Sequence, residues 1–487
     1  MKTQFLNPHN YFSGRMYVEA LRQLMLPGLI SGGILFVAVI LASVAELVLN
    51  WGPADPQYAL VWMPFYVWVA PFLLALLAFR FLTDRKKSDF YHALAIKRQA
   101  LFSSYGLAVI SWLLGSMIVT FAVSSLLFLF AGANLSWETM GLFAELLSAG
   151  VFAATLAMLA ASLSGTIFSN LVLINLFLWL PLLVSSIFRA GVINAVPTMP
   201  SNAVSLFGLD LNITLFAVFD ILWADPARAV DIVWTVTVGL LLFAAAAYFF
   251  VKRKSEMAGD SAPSPRMQAV YRIAVALPPL LIVFSSGLVI FRDTDGQFAA
   301  FVGLIVALIF MILFEMISTK RWQNLLKLPL SYALALALTA LFAASVWAVS
   351  SFEANFVPEA EEIVSVRVID DPDRLLIDDG ETPIHAEISV GEVFEDSAVN
   401  AAIAEQLQQS REEGWANSSD PFGNLYLDES RRWDNEARLV FEIRTASGAT
   451  RQRYLSVGTF IWEDWESRSD TFEPNDLGQA LWGASAP

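Results

Sequence analysis

The chain has no cysteine, which excludes a disulfide framework, thiolate metal sites and a cysteine nucleophile together. Histidine is nearly missing: His9, His92 and His385 are too scattered for a zinc site or a histidine-based catalytic cluster. No glycine is followed by lysine, so the G-x-x-x-x-G-K-[ST] phosphate loop is absent and the usual nucleotide-triphosphatase chemistry is excluded. Charge is thin, at 15% of residues against 56% hydrophobic, and the mean hydropathy is +0.58. Such a balance belongs to a membrane protein. No catalytic, cofactor-binding or metal-binding residue is assigned, and the chain is not expected to be an enzyme.

The charge that exists is divided unevenly. Residues 1–350 hold 20 Lys and Arg against 16 Asp and Glu, whereas residues 351–487 hold 10 against 29, within a net charge of -15. The last lysine is Lys327, so every cation of the tail is arginine. Two bodies follow: a slightly basic membrane part and a strongly acidic soluble one.

The first residues lack a short apolar core ending in a small-residue cleavage site, so no removable signal peptide is expected and the first span would serve for insertion. Within segment 1–23, Tyr11, Phe12, Met16, Tyr17 and Leu21 alternate with Arg15, Glu19 and Arg22. That pattern suits either a helix in the headgroup region or an unstructured cytoplasmic tail. Apolar runs able to cross about 30 Å of hydrocarbon then fall near residues 25–49, 58–82, 101–131, 140–163, 168–188, 229–251, 270–291, 299–317 and 329–350. A tenth run, 202–223, contains Asp210, Asn212 and Asp220 and follows Pro197 and Pro200. Counting it as a span would put the Lys252 and Lys320 clusters outside. It is therefore expected to be a re-entrant or interfacial hairpin on the outer face. Nine spans from a cytoplasmic N-terminus leave residues 351–487 extracytoplasmic. The expected organisation is an N-terminal segment 1–23, a six-helix core 24–251, a linker and three further helices 252–350, and an acidic α+β domain 351–487. Segment 251–266, rich in Ser, Pro and Gly, is the expected linker.

Ionisable groups near the spans are few. Glu46 and Glu145 fall toward outer ends and Arg80 and Glu315 toward inner ends, and no chain of buried ionisable groups is expected. Glu315 is close enough to Lys320 and Arg321 for a helix-end ion pair, and Glu145 is the best candidate for a polar contact inside the bundle. In the tail, Val364–Ile369 alternates like a strand, Ala398–Arg411 has helical composition, and Ala437–Thr445 with Thr450–Val457 flanks Ala446-Ser447-Gly448 as a hairpin. Asp370, Asp371, Asp373, Asp378 and Asp379 fail as a calcium loop, because Leu375 and Ile377 stand where oxygen ligands are needed. Phe460, Trp462 and Trp465 suit a core or a membrane edge.

The longest early polar interruption is Asp84–Leu101, DRKKSDFYHALAIKRQAL. Ser88-Asp89 is a helix N-cap signal, followed by a short helix carrying Phe90, Tyr91 and Leu94 and then by Lys97-Arg98. By charge alone this is a cytoplasmic loop obeying the positive-inside rule. Its residues Lys87-Ser88-Asp89-Phe90-Tyr91-His92-Ala93-Leu94-Ala95-Ile96-Lys97-Arg98 resemble the segment between the first two span pairs of ABC-2 type transporter permeases. The likeness is strongest to a bacterial subgroup with an extracytoplasmic C-terminal domain, whose members carry a pattern close to K-x-x-D-F-Y-H-S-L-P-I-x-R. Ala93 and Ala95 stand where Ser and Pro are common, and Ala in place of Pro is expected to let the helix run on toward the third span. The outer hairpin, FEMISTKRW at 314–322 and EIRTASGATRQRY at 442–454 are similar to the same subgroup.

The resemblance implies a permease subunit in the bacterial cytoplasmic membrane, embedded in the lipid bilayer. It would be paired with a second permease, identical or paralogous, and with two separate ABC ATPase subunits that hold ATP-Mg. It implies export of a hydrophobic or amphiphilic substrate, no directly bound cofactor and no nucleic acid. Residues 84–98 would contain the coupling helix, with Asp89, Phe90, Tyr91, His92, Leu94, Lys97 and Arg98 at the ATPase interface. The alternative from the residues is a membrane-anchored sensor or adaptor whose outer domain binds a ligand.

Overall fold

The computed structural model describes residues 11–49, 56–94, 96–196, 198–199, 215, 229–290, 294–370, 393–413, 436–462 and 470–485. The helices are α1 (Gly14–Gln23), α2 (Met25–Leu49), α3 (Met63–Ala78), α4 (Arg85–Ala93), α5 (Arg98–Phe130), α6 (Trp137–Leu163), α7 (Ile167–Ala195), α8 (Ala229–Lys252), α9 (Pro265–Ile290), α10 (Thr294–Thr319) and α11 (Leu328–Ala354). Among the described residues nine helices, all of these except α1 and α4, are long and apolar enough to cross a membrane. The protein is α-helical and membrane-embedded, and the nine runs of the sequence coincide with these helices. The second run is shorter than expected: α3 stops at Ala78 and a 3-10 turn, Arg80–Thr83, follows. The outer hairpin run (Leu215 apart), Asp371–Asp379, His9, His385 and Trp465 lie outside the described residues.

The described residues divide into two compact units, one drawn from 1–181, 211–276 and 308–333 and the other from 182–210, 277–307 and 334–487. In the first, α6 is the central pillar. Ala149, Ala153, Ala154, Ala157, Ala160 and Ala161 are buried along it, and α3, α5 and α8 pack around it. Small side chains allow this closeness, which in lipid is itself the source of helix–helix attraction. On α8, a Cβ at Gly239 would already meet the Phe152 backbone at 3.6 Å. Along α5, hydroxyl rungs hold α2 and α3: Ser43 to Ser124 at 2.7 Å and Tyr66 to Ser116 at 2.5 Å. Over the described residues 11–23 the N-terminal segment carries a packed helix, α1, and is not an unstructured tail. Ser13 exchanges hydrogen bonds with Ser104, the Tyr17 hydroxyl meets Ser111 at 2.8 Å, and Trp112 Nε1 donates to the Leu21 carbonyl at 3.1 Å.

In the second unit a five-stranded antiparallel sheet has the order β2-β1-β3-β4-β5. Its strands are β1 (Ile363–Asp370), β2 (Val393–Phe394), β3 (Glu436–Thr445), β4 (Thr450–Trp462) and β5 (Asp470–Pro474). Val366, Val368, Phe441, Ile443 and Leu455 form its core against α12 (Ser397–Glu413) and α13 (Asp476–Ser485). The hairpin turn falls where expected, with Gly448 at φ +82° supplying the left-handed residue that Cβ disfavours elsewhere. Phe460 and Trp462 lie on β4, and nothing is described of their side chains.

Candidate functional site

The residues singled out in the sequence converge at the end of the first unit where α3, α6 and α8 finish and α5 begins. The start of α4 differs from expectation. Asp84, held extended by the preceding 3-10 turn, is the N-cap and accepts from the Lys86 backbone N–H at 3.0 Å, while Ser88 is inside the helix and buried. Starting four residues early, the helix turns Ser88 and Tyr91 inward together, one turn apart, and leaves Phe90 62% exposed. Its end differs as well. Leu94 is an extended C-cap, Lys97 is extended too, and α5 starts anew at Arg98, so alanine in place of proline does not carry α4 into the third span. Helix propensity loses here to the direction change needed between a surface helix and a span.

Each expected interface residue therefore has its own place. Asp89 and Lys97 are exposed, Leu94 is half-buried, and His92 lies on α4 with nothing described of its side chain. Tyr91 is half-buried in an aromatic cluster: its ring centroid is 4.4 Å from Phe81 and 6.0 Å from Tyr105, whose hydroxyl donates to the Tyr91 hydroxyl at 3.1 Å. Phe81 and Phe79 continue the cluster to Phe250 of α8, and Phe102 of α5 joins it at 5.3 Å from Phe250. Arg98 faces into the bundle. It donates to the Val251 and Arg253 carbonyls at 3.2 and 2.6 Å, capping α8, whose C-terminal carbonyls attract a cation.

Sequence inspection missed Arg253, which is 2% exposed. Its guanidinium donates to the carbonyls of Leu82 and Ala161, each at 2.7 Å, and to that of Ser164. Tyr271 of α9 donates to the Leu163 carbonyl at 2.9 Å, so these two side chains satisfy two of the carbonyls that the end of α6 leaves open. Burial draws Arg253 down to about 10, which still leaves it charged at neutral pH.

The stretch expected as a linker is a packed strap. Met257 and Ala258 are buried, Gly259 N–H donates to the Gly165 carbonyl at 2.8 Å, and Arg85 of α4 donates to the Ala258 carbonyl at 2.9 Å. A Cβ at Gly165 would stand 1.9 Å from the Met257 oxygen and 2.5 Å from that of Asp260, both backbone atoms. Gly165→Ala is accordingly expected to dislodge the strap and cost on the order of 2–3 kcal/mol, read as a lowered Tm in detergent. An unchanged Tm would show that the strap yields freely.

Beyond the strap lies a buried polar cluster that run length and charge spacing do not reveal. Ser261 Oγ donates to Gln268 Oε1 at 2.6 Å, and Gln268 Nε2 donates to Glu315 Oε2 at 2.8 Å and to Ser318 Oγ at 3.2 Å. Arg272 Nε stands 3.4 Å from Glu315 Oε2, with side chains 4% and 0% exposed. Glu315 thus pairs across to α9 rather than with Lys320 or Arg321, because a carboxylate turned into the bundle is reached only by a cation turned the same way. Arg272 Nη1 and Glu315 Oε1 have no protein partner among the described residues. Glu145 is buried, as its position suggested.

Taken together, the site is a short helix with one face free and the other tied by aromatic rings, an arginine and a strap to the ends of several spans. Set against family models, curated proteins and solved structures, the chain matches none.

Proposed function

We propose that this chain is the permease subunit of an ABC exporter and that residues 84–98 are the seat of a separate ATPase subunit. The observation that carries this reading is the two-sided character of α4. Phe90 projects away from the bundle, while the adjacent, half-buried Tyr91 lies against the rings of Phe81, in the turn after α3, and Tyr105 of α5, and Phe81 in turn meets Phe250 of α8. A helix built that way offers an apolar knob to a soluble partner and passes any displacement to span ends, because close-packed rings do not deform independently. The chain has no phosphate loop of its own, so ATP-Mg belongs on the partner.

On this reading the N-terminus is cytoplasmic, the membrane is the bacterial cell membrane, and a second permease, identical or paralogous, completes the transporter. Residues 351–487 form an extracytoplasmic α+β domain, and the cargo is hydrophobic or amphiphilic.

The test is affinity purification from the native membrane. A soluble ATPase is expected to come with the chain, and Phe90→Ala is expected to weaken that association about tenfold or more while leaving Tm unchanged, as for a truncated interface anchor. Recovery of no ATPase would refute the reading, and full association of Phe90→Ala would move the contact elsewhere. The sensor alternative is favoured by one observation, the ion pairs of Arg451 and Arg453 on β4 with Glu353 at the end of α11, and it requires purification without any ATPase.

A further inference from the structure

Two arginines stand on the inward face of β4. In register, Arg453 pairs with Phe441, and Arg451 pairs with Ile443, which itself pairs with Val366 of β1. Cross-strand partners share a face, so these cations project to the side that holds the apolar core. Charge in such a place is costly unless it is matched. The match comes from the last turn of α11. Arg453, 1% exposed, donates through Nη2 to Glu353 Oε2 at 2.9 Å and to the Glu353 backbone carbonyl at 3.0 Å, an oxygen it shares with the Phe356 N–H. Arg451 Nε makes an ion pair with the other carboxylate oxygen, Oε1, at 3.2 Å. The two guanidinium groups also lie over aromatic rings beside the joint, Arg453 5.1 Å from the Phe356 centroid and Arg451 5.5 Å from that of Phe352. Burial draws the Arg453 pKa below its usual range, and the bond to Glu353 works against that.

The chain between them is short and held. Phe356 N–H returns to the Glu353 carbonyl, and the turn Ala360–Glu362, closed by a Glu359/Glu362 capping box, leads directly into β1. Toward the interior of α11, Val346 packs on α7 so closely that a Cβ at Gly191 would come within 2.7 Å of it, and Phe342 rests on Phe188.

We propose that Glu353, Arg451 and Arg453 form a rigid joint through which the sheet and the end of α11 turn as one body. A load on the sheet then reaches α11, and through Val346 and Gly191 the end of α7, as a change of tilt. The sheet is on this account a lever on the last span. A tether would need neither two inward arginines nor a carboxylate engaged through both oxygens. The inference does not depend on which partner, if any, seats on α4.

The absence of native cysteine allows spin labels to be placed without removing any residue. One pair, Ala348→Cys on α11 with Thr450→Cys on β4, crosses the joint, and a control pair, Glu405→Cys on α12 with Thr450→Cys, does not. All three positions are exposed. Pulsed electron-resonance distances in the full chain are expected to be narrow for both pairs. Glu353→Gln, which removes the charge and keeps the shape, is expected to widen the distribution across the joint about twofold or more and to leave the control narrow. Arg453→Lys, which loses the fork, should widen it less. An unchanged distribution across the joint in Glu353→Gln overturns the proposal. So does equal widening of both pairs, which would make Glu353 a residue of the sheet's own stability.

Discussion

Replacing Glu315 by Leu alone is expected to destabilise the protein by about 3–5 kcal/mol, and adding Arg272→Met is expected to restore most of that loss. A single removal strands a charge where water does not reach, because Arg272 and Glu315 are 4% and 0% exposed. Removing both replaces an imperfect ion pair, 3.4 Å apart with one polar atom on each side lacking a protein partner, by apolar contact. Gln268 remains as a donor for Ser318, so the double variant still leaves the local helix contacts something to hold. Thermal unfolding in detergent of the two single variants and the double variant measures the coupling. Additive losses would mean that the pair is open to water and that its burial carries no weight.

Arg253→Ala is the second change with a large expected effect, also about 3–5 kcal/mol. The guanidinium serves carbonyls of Leu82, Ala161 and Ser164, the ends of two elements distant in sequence, and alanine would leave all three without a donor. Arg253→Lys should recover only part of the loss, because an ammonium is a point charge and cannot span three acceptors as a planar fork does. In Arg253→Ala the strap should become a preferred site of limited proteolysis near Gly259, since Arg253 and the Gly259–Gly165 hydrogen bond hold it from both ends. An alanine variant with wild-type Tm and no new cleavage would refute the clamp.

Much of the helical architecture was legible because it rests on run length. A stretch of twenty or so apolar residues has one stable answer in lipid, whatever surrounds it, since every backbone group is satisfied within the helix. The hairpin of β3 and β4 was legible for a similar reason: alternation and a glycine turn are local. The two-residue β2 is too short for any period to register, and α13 carries Gly478 and Gly483 in ten residues, which hides its helical character.

The candidate site was only half legible. Asp84 and Ser88 are both competent caps, and only the approach of the chain from the 3-10 turn decides between them. That choice rotates α4 and separates Phe90 from Tyr91, so two neighbours expected on one contact surface have opposite surroundings. Arg272 was overlooked because one arginine early in an apolar run looks like a flank at the membrane edge, and Glu315 was given the cations nearest in sequence. Arg253 sits between Lys252 and Lys254, and in a sequence it reads only as part of that positive cluster.

The sequence by itself determined that this is a membrane protein whose apolar runs include the nine that the described residues show as helices long enough to cross a bilayer, with a basic body and an acidic arginine-bearing tail, because hydrophobic length, alternation and charge balance are properties of the chain taken in one dimension. Only the tertiary structure decided which cation answers which acid, which face of α4 is free, and that the tail's strand arginines close on Glu353. The cost of burying a charge requires that it have a partner, but which partner it finds depends on which helix ends meet.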